Sequence, residues 1–167
     1  MSVWDALVGQ EQAAAVLSRA IETPGSMTHA WLLTGPPGSG RSNAARAFAA
    51  ALQCPAGGCG TCAECLAVER GGHPDVTVVA TEKVTIAIDE VRGLLAQASR
   101  SPARGRWRVI IIEDADRMAE RTTNVLLKAI EEPPPRTVWL LCAPSPQHVM
   151  VTIRSRCRHL NLRIPPV

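Results

Sequence analysis

The residues most able to do chemistry form the stretch TGPPGSGRS, positions 34–42. Gly35, Gly40, Arg41 and Ser42 fit the pattern G-x-x-x-x-G-[K/R]-[S/T], with Gly38 and Ser39 inside it. Such glycines let backbone N–H groups turn inward around phosphate oxygens, and a following helix adds the favourable end of its dipole. Ser42 stands where a hydroxyl can ligate Mg²⁺. A glycine-rich strand-to-helix turn can also be purely structural, but this spacing predicts phosphate-loop ancestry.

Arg41 stands where lysine is usual. Lysine is a compact point charge, whereas arginine is longer, planar and set for bidentate contacts. The exchange can keep phosphate binding while misplacing the charge during γ-phosphoryl transfer, or it can block the pocket. A second departure lies in VIIIEDAD, residues 109–116. Phosphate-loop ATPases normally end this strand in Asp-Glu, the first carboxylate supporting Mg²⁺ and the second polarising the attacking water. Here the order is Glu113-Asp114, a degenerate version with one arm lengthened and the other shortened. A misplacement of about 1 Å can cost on the order of 10²-fold in rate. The expectation is an ATPase site that is weak or silent, with ATP and Mg²⁺ as doubtful ligands. Asp116 reads as a simple acidic cap.

Cys54, Cys59, Cys62 and Cys65 give C-x4-C-x2-C-x2-C in a glycine-containing loop. Four thiolates at these intervals can converge on one tetrahedral ion, and the pattern predicts a structural Zn²⁺ site. With four protein ligands such a site is closed, so its work is to brace the loop or present a surface. Cys142 and Cys157 read as small buried hydrophobes.

The elements that must position these groups follow from periodicity. The stretch DALVGQEQAAAVLSRAIETPG, residues 5–25, predicts a helix, with Ala13, Val16, Leu17, Ala20 and Ile21 at helical spacing and Pro24-Gly25 as its stop. HAWLLTG predicts a buried strand entering the phosphate loop, and SNAARAFAAAL a helix leaving it. PDVTVVA reads as a strand and IDEVRGLLAQASRS as a helix closed by SPARGR. RVIII is the clearest strand, TTNVLLKAIEEPPP a helix capped by Thr122 or Thr123, and TVWLLCA a fourth strand. SPQHVMVTIRSRC predicts a loop and short helix, and RHLNLRI a weak fifth strand. Alternating strands and helices predict an α/β fold with a five-stranded parallel sheet, helices on both faces, and the cysteine module inserted after the phosphate-loop helix.

The 167 residues suit one domain, with 46% hydrophobic and 20% charged residues and a net charge of +3. Those values are ordinary for a soluble globular chain and only compatible with an anionic partner. No apolar run reaches the ~18 residues of a membrane span, and the N-terminus lacks a secretory pattern, so a cytoplasmic location is expected. No carboxylate constellation for nucleotidyl transfer is present beyond the acidic strand end.

Together VGQEQ, HAWLLTGPPGSGRS, the four cysteines, NVLLKAIEEPP and TIRSRC resemble the first domain of bacterial clamp-loader subunits, AAA+ proteins of the DNA polymerase III holoenzyme. GGHPDV, IAIDEVRGLL and the altered loop are more similar to the delta-prime kind than to the gamma/tau ATPase. The resemblance implies an AAA+ domain over 1–167, with the zinc module at 54–65 and the family's lid and collar domains outside this chain. It implies that Arg156, in Ser155-Arg156-Cys157, reaches a neighbour's ATP as an arginine finger in trans. It also implies a ring with gamma/tau and delta partners that acts on a sliding clamp and primer-template DNA. The family's sensor position falls near Ala143-Pro144, where Ser145 is the nearby hydroxyl. An ATP-hydrolysing gamma/tau-like motor is the alternative.

Overall fold

Runs of apolar residues too short for helices build the sheet. Ala30–Thr34 (β1), Val76–Val79 (β2), Arg108–Ile112 (β3), Thr137–Ala143 (β4) and Arg158–Asn161 (β5) pair in the order β2-β3-β4-β1-β5, every pair parallel. The computed structural model describes residues 2–7, 9–22, 28–36, 39–79, 88–98, 106–133 and 136–162. Pro24-Gly25, Gly38 and residues 101–105 of the SPARGR stretch lie outside them. The three inner strands are buried on every residue, as their unbroken apolar runs require, while β2 and β5 are edges.

The helices are Glu11–Glu22 (α1), Arg41–Gln53 (α2), Ala63–Glu69 (α3), Ile88–Ala98 (α4), Glu120–Glu131 (α5) and Val151–Arg154 (α6). Because strand side chains alternate, successive residues feed two separate cores. Trp31, Leu33, Val109, Ile111, Val138 and Leu140 meet Leu17 of α1 and Phe48 of α2 on one face. Leu32, Ile110, Ile112, Trp139 and Leu141 meet Val91, Leu126, Ile130 and Ile153 of α4, α5 and α6 on the other. The α/β architecture with helices on both faces is as the sequence predicts. Trp31 and Phe48 pack edge to face, with ring centroids 5.2 Å apart. Among the described residues no helix is long and apolar enough to cross a membrane.

Two local expectations need correction. Helix α5 begins at Glu120 with Ala119 as its N-cap, so Thr122 and Thr123 do not cap it. Both threonines are buried within its first turns, where packing outweighs their capping preference. The second correction is α3, which the sequence reading missed. Its first turn carries Cys65, so the cysteine module ends on a helix.

Candidate functional site

The carboxyl ends of β1, β4 and β3 lie side by side, the usual place for a ligand crevice in a parallel sheet. Gly35 follows β1, and its N–H donates to the Ala143 carbonyl at the end of β4 (3.2 Å). A Cβ on Gly35 would overlap the Ser39 side chain and press on the Leu162 carbonyl. Gly40, the N-cap of α2, has φ +82°, a left-handed conformation natural to glycine. Gln10 Nε2 donates to the Ser39 carbonyl across 2.9 Å, tying the start of α1 to the loop. The Ser39 hydroxyl is buried and has no hydrogen-bond partner among the described residues. A loop narrowed by glycines around an orphaned hydroxyl fits a phosphate group.

Arg41 folds back over this loop, and its Nη1 donates to the Gly35 carbonyl at 2.5 Å. Across the crevice Ser42 Oγ donates to Glu113 Oε1 at 2.6 Å, and Arg46 Nη2 reaches the same oxygen at 3.0 Å. Ser42 and Glu113, the two side chains expected at the magnesium position, thus meet directly across the crevice. Asp114 precedes a short 3-10 helix, Ala115–Arg117, and Asp116 lies within that turn. Ser145 Oγ is engaged with His148 Nδ1 at 2.5 Å. Cys142 lies buried on β4, its Sγ 3.9 Å from the Arg41 carbonyl. Burial, with Glu113 adding repulsion, pushes its thiol up to about 12.

The four cysteines converge. Their sulfurs all lie within 4.8 Å of one another, and Cys54 Sγ is 3.7 Å from both Cys59 Sγ and Cys62 Sγ. Four sulfurs about 2.3 Å from a tetrahedral zinc would stand about 3.8 Å apart, so the cluster fits the ion. Backbone N–H groups of Ala56 and Cys59 point at Cys54, that of Cys62 at Cys59, that of Cys65 at Cys62, and that of Gly60 at Cys65. Hydrogen bonds from Thr61 and Cys62 bring Cys59 down to about 6, toward the thiolate that binds metal. At Cys65 burial prevails and its thiol is raised.

Two attachments seat the module. The Val3 N–H donates to the Gly58 carbonyl at 2.9 Å, bringing the N-terminal 3-10 turn Val3–Ala6 onto it. His73 accepts the Asp75 N–H at Nδ1 (3.0 Å), so its proton resides on Nε2, which is bonded to Glu64 between two of the cysteines. Neither His73, within GGHPDV, nor Glu64 carries a spacing signal in the sequence that marks this role.

Arg156 stands just beyond α6, away from the phosphate loop. Its Nε pairs with Glu131 Oε1 at 2.5 Å, and its Nη1 donates to the Thr152 carbonyl at 2.9 Å and to Ser155 Oγ at 3.2 Å. Its side chain remains 41% exposed. Gln10, Arg46 and Glu131 are the site neighbours that sequence reasoning missed. Each is an ordinary polar residue whose partner is remote in the chain.

The sequence profile described as "DNA polymerase III, delta subunit" matches residues 9–166. The chain is 34% identical over 165 residues to DNA polymerase III subunit gamma/tau of Mycobacterium tuberculosis, covering 96% of this chain and 28% of that protein. It is 38% identical over 135 residues to subunit delta' of Pseudomonas aeruginosa, covering 77% of this chain and 41% of that protein. The chain therefore spans well under half the length of these relatives. A gamma subunit-related protein of Thermotoga maritima shares the fold, with a TM-score of 0.67 at 23% identity over 90% of this chain and 46% of that one. With family profile and relatives agreeing along nearly all its length, this chain belongs to the DNA polymerase III delta-subunit family, as a relative of the delta-prime clamp-loader subunit.

Proposed function

We propose that this chain works as a clamp-loader subunit of the replicative DNA polymerase III holoenzyme in the cytoplasm. In this reading residues 1–167 act as an AAA+ domain that completes a hetero-oligomeric ring with gamma/tau and delta subunits. The assembled ring acts on the sliding clamp and primer-template DNA. Arg156 is supplied to ATP held by a neighbouring subunit, and the chain's own hydrolysis is weak or absent. The observation that carries this reading is the presentation of Arg156, half exposed yet held by a carboxylate partner and two hydrogen-bond acceptors. Exposed Val151 opens α6, the short helix that ends just before Arg156. A fixed cation beside apolar surface suits an inter-subunit contact.

The chain's own loop supports the silent half of the reading. Arg41 is engaged with a backbone carbonyl, and Glu113 and Asp114 stand in exchanged order. The gamma/tau-like alternative draws on the facing Ser42 and Glu113, and on the gamma/tau relatives matching almost the whole chain. Gly35, Gly38, Ser39, Gly40, Arg41 and Ser42 would then bind ATP with Mg²⁺ for turnover.

Reconstitution separates the two. Arg156→Ala in an assembled loader should depress the partner's ATPase, and an unchanged rate sinks the finger assignment. Binding of a fluorescent ATP analogue with Mg²⁺ to the native chain and to Arg41→Lys tests the loop. Binding by the lysine variant alone supports the silent site. Mg²⁺-dependent turnover by the unpartnered native chain would establish the motor alternative.

A further inference from the structure

We propose that Glu131 is the positioning residue for Arg156, fixing the plane of its guanidinium before any partner arrives; this rests on the finger reading above. Guanidinium is a rigid planar fork of five N–H donors. Glu131 Oε1 lies 2.5 Å from Nε as a charge pair, and the Thr152 carbonyl and Ser155 hydroxyl accept from Nη1. Among the described residues Nη2 has neither a hydrogen bond nor an ion pair, so it is the nitrogen left for an incoming anion. A planar group held at two nitrogens can offer the third in one orientation only.

Helix stability does not explain the carboxylate. Glu131 is the last residue of α5 and Glu132 is its C-cap, at the negative end of the helix dipole. Ion pairs this exposed add little to folding, since the two side chains are 41% and 42% accessible. The pair removes freedom from a long side chain, and preorganised charge is what phosphoryl transfer rewards.

The frame around the pair is rigid. Ile130 of α5 and Ile153 of α6 share one apolar core, and Cys157 packs against it immediately after the arginine. The Arg156 N–H donates to the Ile153 carbonyl at 3.0 Å and the Cys157 N–H to the Arg154 carbonyl at 3.3 Å. The backbone on both sides of the arginine is therefore set by packing, and Glu131 settles the remaining side-chain torsions.

The test compares Glu131→Ala, Glu131→Gln and Arg156→Ala in a reconstituted loader containing ATPase partner subunits. Glu131→Ala should lower the partner's kcat on the order of 10-fold with the KM for ATP unchanged, as misplacement of a charge at a reacting phosphate does. Glu131→Gln, which keeps an oxygen acceptor, should lose less. The Arg156 Nε–H resonance of the two Glu131 variants should shift and exchange faster than in the native chain, while thermal unfolding stays in place. If Glu131→Ala leaves kcat untouched, or raises it, while Arg156→Ala lowers it, the positioning role is overturned and the finger reading stands. If Arg156→Ala also changes nothing, the finger reading falls and the positioning proposal with it.

Discussion

Ser42 Oγ donates to Glu113 Oε1 across 2.6 Å, joining the first turn of α2 to the acidic end of β3. Arg46 shares that oxygen, but at 48% exposure it contributes little. Hydrogen bonds to a charged acceptor are worth about 1.5–3 kcal/mol when shielded, so the half-buried Ser42–Glu113 pair should show a coupling of about 1 kcal/mol. A double-mutant cycle of Ser42→Ala and Glu113→Ala in urea measures it, and strict additivity would mean the contact is idle in solution.

Gln53 closes α2 with a side chain that is 2% exposed and serves three backbone groups. Its Oε1 accepts the N–H groups of Arg106 and Trp107, and its Nε2 donates to the Trp107 carbonyl at 2.5 Å. Gln53→Ala strands these groups at the entrance to β3 and should cost about 2–4 kcal/mol. Chemical denaturation would show it as a lower midpoint with an unchanged slope.

Metal content is expected at one zinc per chain. Chelation, or Cys59→Ser, should release the ion and remove the brace between α2 and α3. A loss of about 3 kcal/mol would lower Tm by roughly 6–12 °C for a domain of this length. Elemental analysis paired with calorimetry checks both, and metal-free protein with an unaltered Tm would count against the site.

Cys142 and Cys157 are both pushed up to about 12 by burial. Above the ordinary thiol value near 8.5 the unfolded chain loses these protons while the folded chain keeps them. Stability should therefore fall as pH rises from about 9 toward 12, by at most about 1.4 kcal/mol per pH unit for each thiol. Cys142→Ala should flatten part of that slope in urea titrations at pH 8 and 10. At pH 8 iodoacetamide should label neither thiol until the chain unfolds.

Legibility in the sequence followed locality. RVIII and TVWLLCA announce buried strands because composition alone settles them, and the phosphate loop and cysteines announce themselves by spacing. Helix α3 escaped because AECLAVE is short and carries a ligand, so it merged with the loop before it. The Thr122/Thr123 cap failed because propensity yielded to burial. Gln10, Gln53 and Glu131 could not be read at all. Each is recognisable only by a partner that the fold, rather than the chain order, brings near.

The two alternating cores have a consequence for how the chain can be altered. The cysteine cluster sits with the α1–α3 layer and Arg156 with the α4–α6 layer, so five strands of packed side chains stand between them. The sheet acts as a partition wall. Losses of metal and of the arginine should add independently, as changes without shared neighbours do. A body gripping the cysteine side would leave the arginine side open, and each surface could drift under selection without retuning the other.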